Sequence, residues 1–229
     1  SHERFRNQSA IISETTMKNP VHIIGLGSIG SFVTLTLAKM GFINLSGQDM
    51  DMIEEHNIAN QFYPVDSVGS HKADALREML IKMAGVGMSV NVSKWDEHTQ
   101  FPIGAEAIVV AVDDMDLRKA IWDTCGKKVP FYIEARMGAE VCRVYTVNTH
   151  DLDECAFYES TLYPQSEAAT ERCAMKSIIY TVLGAASLIA SQVKRALSSE
   201  KYPTEIVYDF VSHTQTSYKA KANPVMVEA

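Results

Sequence analysis

Cysteine is the first scarcity in this 229-residue chain. Its four cysteines, Cys125, Cys142, Cys155 and Cys173, lie far apart and form no C-x-x-C pair. A zinc site of thiolates would have to recruit all four from scattered positions, so no zinc is expected and the cysteines read as free thiols in a reducing compartment. Positive charge is also in short supply. Lys and Arg number 21 against 28 Asp and Glu, a net charge of −7, and no basic run stands out, which argues against a nucleic-acid partner. No apolar run reaches the roughly 18 residues of a membrane span, and the first residues do not resemble a signal peptide. The expectation is a soluble, cytoplasmic protein with no membrane contact. Internal repeats and low-complexity tracts are missing as well, and with 46% apolar residues the chain reads as one α/β domain over residues 1–229 without a linker.

What is present begins with Val21-His22-Ile23-Ile24-Gly25-Leu26-Gly27-Ser28-Ile29-Gly30, an apolar run that breaks on glycine and opens into a helical pattern from Ser31 to Met40. This is the order strand, tight turn, helix. Gly25 suits the turn, Gly27 lets a phosphate approach the backbone, and Gly30 lets the helix pack close to the strand. The first amides of that helix lack intrahelical partners and sit at the positive end of its dipole, so they can hold an anion. Alone, the motif fits a dinucleotide fold, any mononucleotide-binding α/β fold, or an accidental glycine turn.

Downstream, Asn44 to Asp51 reads as a second strand finishing in acids, with Asp49 and Asp51 at its tip. Asp51 stands where such a fold holds a ribose hydroxyl, although an acid at a strand end is also commonplace on surfaces. Val90–Val92 and Ala105–Val112 read as further strands, Met115–Cys125 as a helix, Pro130–Ala135 as a strand, and Ala139–Val147 as an antiparallel one. Residues 150–170 show no periodicity and read as a long functional or mobile loop. Glu171 to Leu197 is a long helix pattern, and Ile206–Asp209 and Thr214–Lys219 are closing strands. Residues 1–19 form an N-terminal segment, read as a short helix between Glu3 and Thr16.

The order GLGSIG, then DMD, then HNIANQ, then GSHK resembles the ThiF/MoeB/HesA family, the adenylating fold shared with ubiquitin-activating enzymes. The resemblance implies a Rossmann-like, mostly parallel sheet with helices on both faces and an antiparallel C-terminal extension. It also implies ATP and magnesium, with residues 150–170 crossing over the active site. In family order, Lys72 is the phosphate cation, Asp51 the ribose acceptor, Asn57 and Gln61 the amides of the phosphate loop, and Asp113 the magnesium ligand. Asp114 stands in place of the family's Asn, and Arg118 follows four residues later. Gly25, Gly27, Gly30 and Asp49 complete the nucleotide site. Taken singly, each has a plainer reading: Lys72 as a solvated helix start, Asp113-Asp114 as a turn.

Cys173, in Glu171-Arg172-Cys173-Ala174, resembles the cysteine with which some members take the activated carboxylate as thioester or persulfide; the plainer reading is a small residue packing at a helix start. Two family arginines are replaced, by Asn60 and by Asn7 within Arg4-Phe5-Arg6-Asn7-Gln8. The family's N-terminal segment reaches into a neighbouring subunit, so the resemblance implies a homodimer in which Arg6, or failing that Arg4, enters the partner's site. The implied partner is a ubiquitin-like protein or peptide ending in Gly. A non-catalytic subunit of a two-part activating enzyme and an NAD-dependent oxidoreductase remain alternative readings.

Overall fold

The computed structural model describes residues 2–96, 98–99, 104–168 and 178–221. In chain order the elements are α1 (His2–Phe5), α2 (Glu14–Met17), β1 (Val21–Ile24), α3 (Ser28–Met40), β2 (Leu45–Gln48), α4 (Lys72–Ala84), β3 (Met88–Asn91) and β4 (Ala107–Val110). Then follow α5 (Met115–Thr124), β5 (Phe131–Gly138), β6 (Val141–Asn148), α6 (Leu152–Ser160), α7 (Gln165–Ala168), α8 (Ile179–Leu197), β7 (Glu205–Asp209) and β8 (Thr214–Tyr218).

One eight-stranded sheet in the order β3-β2-β1-β4-β5-β6-β7-β8 carries the chain. The strands from β3 to β5 pair in parallel, with β1 between β2 (Val21 opposite Leu45) and β4 (Val21 opposite Ala107). From β5 onward every pairing is antiparallel. This is the expected mostly parallel sheet with an antiparallel C-terminal extension.

Strand alternation sorts the side chains into two cores, because neighbouring residues point to opposite faces. On one face Ile23, Val109, Ile133 and Val144 pack under Val33 and Leu37 of α3, Leu76 and Leu80 of α4, and Ile189 and Val193 of α8. On the other, Ile24, Ile108, Val110, Tyr132 and Tyr145 pack against Ile121 and Trp122 of α5 and Tyr158 of α6. Helices thus cover both faces, as a largely parallel sheet requires. The C-terminal ends of β2, β1, β4 and β5 are left facing one cleft.

Three local expectations change. The N-terminal segment is not one helix but α1, a 3-10 turn at Arg6–Gln8, and α2, which starts afresh where the Ser13 hydroxyl accepts from the Thr16 amide at 3.1 Å. Of residues 150–170, the described residues 150–168 are not an irregular loop: α6 begins where Asp151 Oδ1 accepts from the amides of Asp153 and Glu154 at 3.0 and 3.1 Å, and residues 169 and 170 lie outside the described residues. Its inward face carries Glu154, buried and bonded to Lys219, Tyr202 and the Asn148 amide, and a buried acid breaks the apolar stripe by which a helix is recognised. The strand expected to carry Asp49 and Asp51 stops at Gln48, so both acids lie in the loop beyond it. Cys173 lies outside the described residues.

Candidate active site

The turn after β1 is shaped by contacts that exclude side chains. Gly25 has φ +86°, and a Cβ there would lie 2.7 Å from the Ala111 carbonyl oxygen. A Cβ on Gly30 would lie 1.8 Å from the Gly25 oxygen, so α3 can approach its strand this closely only without one. Gly27 is different, since its nearest neighbour would be Gln61 Nε2 at 3.9 Å, leaving room on the cleft side. Between the glycines, Leu26 is clamped at both backbone atoms. Its amide donates to Asp49 Oδ2 at 2.7 Å, and its carbonyl accepts from the buried Tyr63 hydroxyl at 2.6 Å. Asp49 Oδ1 also accepts from the Asp51 amide at 2.8 Å. Burial pushes the Asp49 carboxyl above its usual range, while these two amides and Lys72 pull the other way. Asp49 therefore braces the glycine turn, and Tyr63, absent from the sequence-based set, shares that work.

Lys72 opens α4. Its amide donates to the Asp51 carbonyl at 2.9 Å, and its ammonium lies 2.9 Å from Asp51 Oδ2. The Lys72 side chain is 8% exposed and that of Asp51 54%, so the cation is recessed while its partner faces the cleft. Asn57 is buried in a local turn in which its Oδ1 accepts from the Glu54 amide at 2.9 Å. The Gln61 amide donates to the Asn57 carbonyl at 2.9 Å, and the buried Gln61 Oε1 has no hydrogen-bond partner.

These groups line a cleft of about 960 Å³ that continues past Asp113, beyond the end of β4, to Arg118, Arg136 and Tyr163. Asp113 is exposed at its wall. Asp114 is not among the lining residues; its Oδ1 caps α5 by accepting from the Leu117 amide at 2.8 Å. The far wall holds a buried ion cluster. Glu134 on β5 is wholly buried, with Arg136 Nε at 2.7 Å and Arg118 Nε at 3.1 Å from its Oε1. The Tyr158 hydroxyl also bonds its carboxylate. Burial alone would raise the Glu134 carboxyl, but the two guanidiniums hold it below its usual range, so it stays ionised. Glu134 and Arg136 escaped the sequence reading. Charged residues at alternate positions of an apolar strand, hence on one face, are the signal that could have found them.

Arg6 does not line the cleft; it is exposed on the 3-10 turn and paired with Glu3 at 3.0 Å. Arg4 Nη1 donates to the Ala84 carbonyl at 2.9 Å, at the end of α4. Among the described residues no group of three or more His, Cys, Asp or Glu side chains could hold a metal ion unaided. No helix among them is long and apolar enough to cross a membrane.

Comparison with known proteins gives these features a setting. The model of the ThiF family matches residues 13–224. The NEDD8-activating enzyme E1 catalytic subunit of Arabidopsis thaliana is 32% identical over 102 residues, which span 43% of this chain and 22% of that protein. Among solved structures, E. coli MccB with ATP superposes with a TM-score of 0.75 at 18% identity, covering 98% of this chain and 73% of that one. MccB with AMPCPP and MccA gives 0.71 at 19% identity, over 93% and 66%. PaaA gives 0.75 at 17% identity, over 96% and 73%. At these identities the structural likenesses are likenesses of fold.

Proposed function

The chain belongs to the ThiF family, and from that premise we propose that it is an ATP-dependent adenylyltransferase acting on the C-terminal carboxylate of a ubiquitin-like protein or peptide that ends in Gly. The carrying observation is the convergence on one cleft of a braced glycine turn, a recessed lysine paired to an exposed acid, and a free-standing aspartate. In this reading one oxygen of the acceptor carboxylate bonds to the α-phosphorus of ATP. The bond from that phosphorus to the bridging oxygen breaks, and its electron pair departs with pyrophosphate; no proton is transferred. Asp51 accepts from the ribose hydroxyls, and Lys72 exchanges its Asp51 partner for phosphate oxygens. The N-terminal amides of α3, with Asn57 and Gln61 nearby, cradle the triphosphate.

Magnesium suits Asp113, because that ion takes one or two carboxylates and fills its remaining positions with phosphate oxygens and water. When bound, it neutralises charge on the phosphate oxygens.

Pyrophosphate exchange into ATP tests the reading. We expect exchange only when a ubiquitin-like protein or peptide from the same genome is added. ATP binding with no exchange for any such partner would instead mark the chain as the non-catalytic subunit of a two-part enzyme. Cys173 is proposed to act afterwards, its thiolate attacking the acyl carbon and releasing AMP, so Cys173→Ala should leave exchange unchanged. A homodimer is proposed in which Arg6 enters the partner's cleft. Mixing Arg6→Ala with Asp113→Ala protomers should then restore exchange at one site in two, and no recovery in verified mixed dimers removes that arrangement.

A further inference from the structure

Glu134 answers two guanidiniums at once. Arg136 holds it with Nε on Oε1 at 2.7 Å and Nη2 on Oε2 at 3.1 Å, while Arg118 Nε lies 3.1 Å from the same Oε1. All three side chains are at least nine-tenths buried, so one positive charge is left over in a wall that water reaches poorly. An uncompensated buried charge is strongly unfavourable unless something supplies its counter-charge.

The excess points one way. Arg118 and Arg136 line the cleft, whereas Glu134 does not. Arg118 is 7% exposed, yet its Nε–H has no hydrogen-bond partner, because it lies near Glu134 without being aimed at it. Its Nη1 meets the Met115 thioether at 3.0 Å, a weak acceptor. Asp113 shares the cleft but forms no ion pair with either guanidinium. Arg136 is held from outside the sheet by Thr161, whose carbonyl accepts from Nη1 at 2.8 Å and whose hydroxyl accepts from Nη2 at 3.1 Å. Its position is therefore fixed before any ligand arrives.

We propose that Arg118 and Arg136 form the subsite for the acceptor's carboxylate, at the opposite end of the cleft from Lys72; the proposal rests on the adenylyltransferase reading. In the sheet order β5, which carries Arg136, lies three strand spacings from β2, or about 14 Å, while Arg118 bridges back toward the glycine turn by donating from Nη2 to the Val112 carbonyl just beyond β4. Phosphate is disfavoured at the β5 end because the first amides of α5 are occupied: Met115 N donates to Gln165 Oε1 at 2.7 Å and Leu117 N to Asp114 Oδ1 at 2.8 Å. A single excess charge on forked, planar donors matches a monoanionic carboxylate. Met137 and Tyr163 beside them offer apolar walls to the last residues of an extended chain.

Calorimetry on the full chain tests this with AMPCPP as the nucleotide, and with glycylglycine against glycylglycinamide as the acceptor end. Arg136→Lys keeps the charge and loses the fork. Arg136→Met loses the charge but leaves Arg118 and Glu134 as a one-to-one pair, so no acid is stranded. The nucleotide-loaded wild type should bind glycylglycine and not its amide. Both variants should bind AMPCPP within about twofold of wild type and glycylglycine at least about tenfold more weakly. If Arg136→Met fails to fold, Arg136→Lys carries the test. Equal binding of the amide, unchanged dipeptide binding in the variants, or loss of AMPCPP in place of dipeptide would overturn the subsite, the last by making it a phosphate site. Failure of the wild type to bind AMPCPP would remove the nucleotide reading; binding of AMPCPP without any carboxylate-dependent step would remove the subsite alone.

Discussion

At the β2 end of the cleft, Asp49, Asp51, Asn57, Gln61 and Lys72 come from one stretch of chain and act mainly through backbone amides and a half-exposed ion pair. At the β5 end, Arg118, Glu134, Arg136, Tyr158 and Thr161 come from a helix, a strand, a second helix and the turn after it, and their charges are buried. The first end holds its groups by local geometry and leaves charge exposed for exchange with a ligand. The second holds its charges by mutual burial, so removing one member changes the energy of all the rest. One cleft thus joins a part held by local geometry to a part held by mutual burial.

The largest stability effect should follow from Glu134→Gln, which leaves two buried guanidiniums without a carboxylate. We expect a loss of about 3–5 kcal/mol in urea unfolding. A loss below about 1 kcal/mol would place the cluster on the same footing as the exposed pair and erase the contrast. At the other end, Lys72→Ala should lower pyrophosphate exchange by roughly 10²–10³-fold, as loss of one charge-stabilising donor does elsewhere, while the melting temperature moves little. Near wild-type exchange would withdraw Lys72 from phosphate binding.

The third prediction locates the acid response between the two ends. His22, in the central strand β1, has Nδ1 2.8 Å from the Ser46 hydroxyl, and burial lowers its imidazole from 6.5 to about 4. The folded state keeps His22 neutral while the unfolded chain protonates it, so this contribution is complete above about pH 6.5 and falls as pH drops toward 4. A shift of that size corresponds to roughly 3 kcal/mol. His22→Asn should flatten the dependence of the urea midpoint on pH between 7 and about 4. An unchanged slope in that variant would assign the acid sensitivity to the carboxylates. The smallest change belongs to Asp51→Asn, which should cost under about 1 kcal/mol because its partner pair is more than half exposed on the acid side. It should nevertheless weaken nucleotide binding, and a variant that binds AMPCPP normally would take Asp51 out of the ribose site.

The β2 end was legible because its chemistry depends on spacing along the chain. A glycine turn, an acid just beyond the next strand and a lysine at the following helix start remain in order whatever the distant parts of the molecule do. Order along the chain does not show, however, that Asp49, which lines the cleft, also accepts from the Leu26 and Asp51 amides. Nor does it show that Asp114, placed by the family pattern, caps α5 through the Leu117 amide. A short polar side chain next to free amides bonds whichever lies nearest, and only the fold says which amides those are.

The sequence by itself determined most of the strands and helices and the glycine turn, because these follow from residue periodicity and from steric limits acting over a few positions, while the parallel sheet with its antiparallel end was what the family resemblance implied. The tertiary structure alone decided that Arg118 and Arg136 share one carboxylate, that Tyr63 clamps the glycine turn, and that residues 152–160 form a helix around a buried glutamate. Those outcomes depend on which charged groups burial forces together, and buried charges select partners by distance in space, a quantity that order along the chain does not contain.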